Sequence, residues 1–203
     1  MGYHESLTEG RNAVLEAFRS GKTVDRLFVL DGCQDGPVKT ILREAKKQDT
    51  MVQYVKKERL DQLSETKNHQ GVIAYCAACE YAEVSDILEN AKKKGEAPFI
   101  VLLDGIEDPH NLGAIIRTAN QAGAHGVIIP KRRAVGLTAT VARTSAGAVN
   151  YTPVAKVTNL VTVMEDLKKE GMWFVCADMD GEEMYSLNLK GPIGLVIGNE
   201  GEG

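Results

Sequence analysis

The sequence contains few aromatic residues, which make up 5% of its 203 residues. Base stacking on an aromatic platform is therefore not expected to be its main mode of nucleic-acid binding. No apolar run approaches the length of a transmembrane helix, and the first residues lack the apolar core of a secretory signal peptide. We therefore expect a cytoplasmic protein that does not enter a membrane.

A strong excess of positive charge is also missing, since the formal net charge is −4. Residues 1–75 carry a net charge of +1, and the remainder of the chain carries −5. Neither part has the positive field of a nonspecific DNA-binding protein, so an RNA partner would be bound through local basic patches. Two candidate patches are Lys131–Arg133 and a group on a predicted helix, Arg43, Lys46 and Lys47. Solvated surface charge is the alternative interpretation of each patch.

The metal-binding and redox motifs of the chain are incomplete. Its four cysteines are expected to be free thiols, because no secretory signal precedes them: Cys33, Cys76, Cys79 and Cys176. Cys76 and Cys79 have the spacing of half a zinc site, but no second CxxC and no histidine pair completes it. The pair ends an apolar strand rather than beginning a helix, which disfavours a redox role. We predict no bound metal.

Helical and strand-like segments alternate along the whole chain. In residues 1–75 this alternation predicts a compact three-layer α/β/α domain. Residues 76–97 are interpreted as a linker with helical content. Residues 98–203 begin with a continuous apolar run and then alternate helices with strands, which predicts a parallel sheet with helices on both faces.

The first candidate site is the junction between the apolar strand Phe99–Asp104 and the helix that follows it. Asn111 is predicted to cap this helix, and Gly113 would allow another backbone to approach closely. Arg117 lies more than one turn into the helix, where its long side chain could reach back to the helix start. Such an arrangement favours binding of a phosphate or a carboxylate. The alternative is a capped helix whose arginine forms a surface ion pair.

The second candidate site is the carboxyl-terminal corner, where the apolar strand end Leu195–Ile197 runs into the acidic glycine-rich turn 198–203. The turn lacks the Lys-Ser/Thr pair of a P-loop and does not match GxGxxG. Its acidity suits a ligand with positive charge or with hydroxyl and amine donors, such as S-adenosylmethionine. We expect this corner and the Arg117 helix to form two walls of one cleft, at the carboxyl edge of the sheet.

Together these segments resemble the SpoU/TrmH family of RNA ribose 2′-O-methyltransferases, in the knotted SPOUT class. The first family motif is matched by Asn111, Gly113, Arg117 and Ala119, and the second by the terminal apolar strand with Gly198, Asn199, Glu200 and Gly201. Between them, segments 143–148 and 153–154 resemble the family's linking region. Gly10–Val14 and His69–Val72 resemble the L30e-like substrate-binding domain of the branch that modifies guanosine in 23S rRNA.

The resemblance implies methyl transfer from S-adenosylmethionine to a ribose 2′-hydroxyl, with a guanosine in 23S rRNA as the target. It implies an L30e-like domain at 1–75, a SPOUT methyltransferase domain at 98–203 and a homodimer formed through the second domain. The implied catalytic residues are Arg117, Asn111 and Glu200. The implied cofactor-binding residues are Leu195, Ile197, Gly198, Asn199 and Gly201.

The third family motif, a Ser/Asn-rich turn after a further apolar segment, is not found in these 203 residues. In relatives that segment forms the trefoil knot and covers the cofactor. We therefore expect residues 1–203 to lack the C-terminal knot segment and to bind the cofactor poorly by themselves. Two other functions stay open: a tRNA ribose methyltransferase of the same family, and a noncatalytic RNA-binding protein.

Overall fold

A computed structural model describes residues 6–199, except for the side chain of Ser6. The chain divides into two compact units, with the division between Glu80 and Tyr81. Within the described residues, no helix is both long and apolar enough to cross a membrane. The same residues contain no group of three or more His, Cys, Asp or Glu side chains that could hold a metal ion.

The described part of the first unit is a four-stranded sheet with three helices. In chain order its elements are β1 (Ser6–Glu9), α1 (Arg11–Arg19), β2 (Val24–Leu30), α2 (Gly36–Lys47), β3 (Met51–Val55), α3 (Lys57–Leu63) and β4 (Val72–Cys76). The strand order is β1-β4-β2-β3, with β2 parallel to β3 and with β4 antiparallel to both β1 and β2.

The two faces of this sheet are covered by different helices. Leu27 of β2 belongs to a core that includes Val14 of α1 and Ile41 of α2. The next residue, Phe28, belongs to a second core with Leu60 of α3. Because neighbouring residues of a strand point to opposite faces, α1 and α2 lie on one side of the sheet and α3 on the other. The predicted three-layer arrangement is confirmed.

The loop between α3 and β4 is anchored to β1 through one carboxylate. Glu9 accepts hydrogen bonds from the backbone N–H of Glu65 (2.7 Å) and Thr66 (3.2 Å), and from the hydroxyls of Ser64 and Thr66. Burial raises the pKa of Glu9, but the combined hydrogen bonds outweigh this effect and lower the pKa below its ordinary value. The ionised carboxylate therefore stabilises the loop.

The described part of the second unit is a five-stranded parallel sheet with helices on both faces. Its elements are α4 (Val84–Lys94), β5 (Phe99–Leu103), α5 (Pro109–Gln121), β6 (Gly126–Pro130), α6 (Ala139–Thr144), β7 (Val154–Val157), α7 (Leu160–Lys169), β8 (Trp173–Cys176) and β9 (Ile193–Ile197), with short 3-10 turns at Ala148–Asn150 and Met184–Ser186. The strand order is β7-β6-β5-β9-β8, and every pair is parallel. The predicted parallel α/β fold is confirmed.

Alternation along β5 separates the two cores of this sheet. Ile100 and Leu102 belong to a core that includes Ile87 of α4 and Leu167 of α7. Val101 and Leu103 point to the opposite face and are also buried. Parallel crossovers are right-handed, and the chain moves in opposite directions across the sheet from β5 to β6 and from β7 to β8, so α5 covers the face opposite to α7. Helix α4 lies in the segment interpreted from sequence as a linker, and it packs on this sheet within the second unit.

Candidate active site

The strand order of the second unit reverses between two adjacent strands, β5 and β9. From β5 the chain proceeds outward through β6 to β7, and it then returns on the other side through β8 to β9. In open parallel α/β sheets, ligands bind in the crevice at such a switch point, outside the carboxyl ends of the strands. The segments that follow β5 and β9 carry the two sequence motifs. The fold therefore brings both candidate sites to the position where a ligand is expected.

The loop after β5 contacts the corner after β9 directly. Asp104 continues the pairing of the two strands, because its backbone N–H donates to the carbonyl of Ile197 at 2.9 Å. Gly105 follows with a φ of +74°. A Cβ atom at Gly105 would lie 3.3 Å from Cβ and 3.2 Å from Nδ2 of Asn199. Glycine is favoured here both by the left-handed backbone and by the limited space beside Asn199.

Helix α5 begins one loop later, and its N-cap is Asp108 rather than Asn111. The carboxylate of Asp108 accepts hydrogen bonds from the backbone N–H of His110 at 2.6 Å and of Asn111 at 3.4 Å. Pro109 occupies the first helical position, where its lack of an N–H costs no hydrogen bond. Asn111 lies in the first turn of the helix, so the prediction that it caps α5 was wrong. The Asp-Pro pair was the sequence signal for the true helix start.

Gly113 allows α6 to pack closely against α5, as its position predicted. A Cβ atom at Gly113 would overlap Oγ1 of Thr144 and lie 2.8 Å from Cβ of the same residue and 3.0 Å from the backbone nitrogen of Ser145. The Thr144 hydroxyl also lies 3.3 Å from the carbonyl of Pro109, the first residue of α5. The linking segment that contains Thr144 and Ser145 thereby supports the start of α5.

The remaining predicted site residues differ in how far they are buried. Leu195 and Ile197 are half-buried in β9, and Gly198 and Asn199 follow at the corner. Arg117 is exposed, eight residues beyond Pro109, which corresponds to about 12 Å along the helix axis. The side chain of Arg117 forms no hydrogen bond or ion pair with another residue of the described range 6–199. Glu200 and Gly201 lie outside the described residues.

Comparison with known proteins defines the class of this site. The sequence profile of the SpoU rRNA Methylase family matches residues 98–203, and the profile described as RNA 2′-O ribose methyltransferase substrate binding matches residues 7–82. A protein of Bacillus subtilis (strain 168) named as the TrmH family tRNA/rRNA methyltransferase YacO is 47% identical over 196 residues. The aligned region covers 96% of this chain and 78% of that protein.

Other relatives give the same assignment. A TrmH family tRNA/rRNA methyltransferase of Staphylococcus haemolyticus is 44% identical over 195 residues, which cover 96% of this chain and 78% of the relative. The crystal structure of an rRNA methyltransferase from Sinorhizobium meliloti matches with a TM-score of 0.52 and 26% identity, covering 97% of this chain and 72% of that one. The methyltransferase AviRb of Streptomyces viridochromogenes, solved with S-adenosylmethionine, has the same fold with a TM-score of 0.54 at 24% identity, covering 98% and 74% of the two chains.

The fold is thus that of a SPOUT-class methyltransferase. The chain belongs to the SpoU/TrmH family and is an RNA methyltransferase. The family resemblance inferred from the sequence motifs is confirmed.

Proposed function

We propose that the protein transfers a methyl group from S-adenosylmethionine to a ribose 2′-hydroxyl of RNA, with a guanosine in 23S rRNA as its target. The observation that carries this proposal is the close approach of Gly105 and Asn199 at the switch point between β5 and β9. Through this contact, the loop that leads into α5 meets the acidic corner. A cofactor at the corner would therefore lie beside the loop that leads into the first motif.

The residues at this edge offer apolar surface and negative charge, both of which suit S-adenosylmethionine. Half-buried Leu195 and Ile197 offer apolar surface to the adenine ring. The neighbouring loop exposes three carboxylates, Asp104, Glu107 and Asp108, whose negative charge favours a ligand with a sulfonium and an amino group. When bound, the cofactor supplies an electrophilic methyl group. Gly198, Asn199 and Gly201 are proposed to hold it through their backbone groups.

Arg117 is proposed to act on the RNA rather than as a base. Its guanidinium stays protonated in proteins, so it can bind a phosphate and stabilise the negative charge that develops on the 2′-oxygen. Asn111 is proposed to orient Arg117 or the ribose, and Glu200 to orient Arg117 or to accept a hydrogen bond from a ligand. Holding the 2′-hydroxyl in line with the methyl group is the main contribution expected of the protein.

The exposed position of Arg117 fits a site completed by a second copy of the chain. Arg117 lies about 12 Å along α5 from the helix start, and its side chain pairs with no carboxylate in residues 6–199. We therefore propose a homodimer formed through the second unit, in which Arg117 faces RNA bound at the partner's corner. Size-exclusion chromatography with light scattering tests this, and a monomer at assay concentrations would contradict it.

The first unit is proposed to be an L30e-like domain that binds the RNA substrate, and its match to a substrate-binding profile over residues 7–82 supports this role. The proposal also includes a cytoplasmic location, since bacterial rRNA and tRNA are cytoplasmic.

The alternative substrate is tRNA, because the relatives are named as methyltransferases of tRNA or rRNA. Incubation with tritiated cofactor and separate rRNA and tRNA pools distinguishes the substrates. Nuclease mapping of the labelled ribose then identifies the nucleotide.

Substitution of Arg117 tests the catalytic role. In the full-length enzyme, we expect Arg117→Ala to reduce methyl transfer by at least a hundredfold, because transition-state stabilisation of the 2′-oxygen is lost. Cofactor affinity measured by calorimetry should stay within twofold. The matched control is Lys94→Ala, which removes one exposed cation at the end of α4. Transfer by Arg117→Ala at the wild-type rate would refute the role of Arg117. RNA binding by the wild-type protein without transfer to any RNA would instead favour the noncatalytic alternative.

A further inference from the structure

The basic segment Lys131–Arg133 begins the loop between β6 and α6, and three hydrogen bonds fix this loop in place. The backbone N–H of Lys131 donates to the carbonyl of Val157 at 2.8 Å. Farther along, the N–H of Val135 donates to the carbonyl of Ile106 at 3.0 Å, and the N–H of Leu137 donates to the hydroxyl of Tyr81 at 2.8 Å. These hydrogen bonds hold the loop in a defined position within the second unit.

The Val135–Ile106 bond places the basic segment beside the candidate active site. Ile106 lies in the loop between β5 and α5, one residue after the glycine that contacts Asn199. Arg133 precedes Val135 by two residues, so their Cα atoms lie within about 7.6 Å of each other. The segment also follows the carboxyl end of β6, the strand next to β5. It therefore lies at the same edge of the sheet as the proposed cofactor corner.

Arg132 and Arg133 are both exposed, and neither forms an ion pair with any residue between 6 and 199. Other exposed cations in the second unit do pair with acids, as Lys93 does with Glu89 at 2.9 Å and Lys169 with Asp166 at 2.7 Å. Arg133 also has a φ of +55°, an uncommon backbone conformation for a residue other than glycine. Arg132 and Arg133 thus lie on a hydrogen-bonded loop, without an ion pair to residues 6–199, in a part of the chain whose net charge is negative.

Charge is segregated along this edge of the sheet. The loop after β5 exposes carboxylates at Asp104, Glu107 and Asp108, whereas the loop hydrogen-bonded to it exposes the arginines. Within residues 6–199, neither Arg132 nor Arg133 forms an ion pair with a carboxylate of the loop after β5. Guanidinium groups that are not neutralised by neighbouring acids favour phosphate, which they bind through two parallel hydrogen bonds.

We infer that Arg132 and Arg133 bind backbone phosphates of the RNA strand next to the target ribose. The inference rests on the proposed function, since it names where the RNA backbone lies relative to the methyl-transfer site. Phosphate contacts position a nucleic acid without reading its sequence. These arginines therefore fix the register of the RNA at the cofactor corner, and the choice of nucleotide depends on other contacts.

The test compares a double variant, Arg132→Ala with Arg133→Gly, against the wild-type protein in RNA binding and in methyl transfer. Glycine at 133 suits the left-handed backbone, so the loop is retained while both charges are removed. We expect RNA affinity at 100 mM salt to fall about tenfold, and the slope of log K against log salt to become shallower by about 1.4, or 0.7 for each phosphate contact. The KM for RNA should rise by a similar factor, with kcat and cofactor affinity unchanged.

Two further variants control this experiment. Lys92→Ala with Lys94→Ala removes the same charge from α4, whose C-terminal end leads to the opposite edge of the sheet, and should leave RNA affinity within twofold. Arg132→Lys with Arg133→Lys keeps both charges and should restore most of the salt slope. An unchanged salt slope and RNA affinity in the charge-removing variant would overturn the inference. Because RNA binding is measured without turnover, a wild-type protein that binds RNA but transfers no methyl group would refute the proposed function separately.

Discussion

Replacing Gly113 by alanine is expected to separate α5 from α6. In a helix interior, alanine is more favourable than glycine by about 1 kcal/mol, so an unopposed substitution would stabilise the protein. At Gly113 the added methyl group would overlap the Thr144 hydroxyl and lie 3.0 Å from the backbone nitrogen of Ser145. Overpacking of this kind costs about 1–3 kcal/mol.

Thr144 cannot move away without a further loss. Its hydroxyl donates to backbone carbonyl groups, with the Thr140 carbonyl at 2.9 Å and the Pro109 carbonyl at 3.3 Å. Loss of such a bond costs about 1 kcal/mol. The lost bond and the gain in helix propensity are of similar size, so we expect Gly113→Ala to lower the free energy of unfolding by about 1–3 kcal/mol. Methyl transfer should fall further than the folded fraction, because α5 also carries Asn111 and Arg117.

Urea unfolding followed by far-ultraviolet circular dichroism measures this effect. Thr118→Ala is the matched control in the same helix: it raises helix propensity at an exposed position and should be neutral or stabilising. Combining Gly113→Ala with Thr144→Ala should recover at least 0.5 kcal/mol, the lower range of coupling for residues in contact. A Gly113→Ala protein as stable as the wild type, with no coupling to Thr144, would refute the packing argument.

Two further predictions concern carboxylates that accept backbone hydrogen bonds, Glu9 in the first unit and Asp108 at the start of α5. For Glu9, a folded-state pKa below the ordinary 4.5 means that its stabilisation is present above that value and is lost as the pH falls through the folded-state pKa. Glu9→Gln should therefore be less stable than the wild type by about 1–3 kcal/mol at pH 7, with a smaller difference near pH 3, and parallel pH profiles in urea unfolding would contradict this. Asp108→Ala should destabilise α5 by about 1 kcal/mol, whereas Asp108→Ser should keep most of the capping energy, and equal unfolding midpoints for the two variants would exclude a capping role.

The pattern of apolar residues predicted most of the architecture. The run at 99–103 has no polar alternation, which indicated a strand covered on both sides, and the structure buries it between two layers of helices. The glycine at 113 was likewise interpreted correctly, because a residue without Cβ inside a helix commonly marks a close approach of another backbone. Such features depend on local periodicity and residue size, which a single sequence displays directly.

The cap of α5 was assigned to Asn111, whereas the structure places it at Asp108. Asn and Asp cap helices about equally well, so residue type alone could not decide between Asn111 and Asp108. The adjacent proline gave the decisive local signal, since proline fits the first helical position. This miss moved the predicted helix start by three residues without changing the predicted fold.

The sequence by itself determined the alternation of helices and strands, the family of the protein and the residue types at each candidate site, because these depend on neighbours along the chain. Only the tertiary structure decided that Gly105 lies against Asn199 and that Val135 bonds to Ile106. These contacts join segments separated by tens of residues, and they arise from the strand order β7-β6-β5-β9-β8. Hydrophobic periodicity fixes which face of a strand is buried but not which strand lies beside it, so the meeting of the acidic and basic loops at one edge could be known only from the folded sheet.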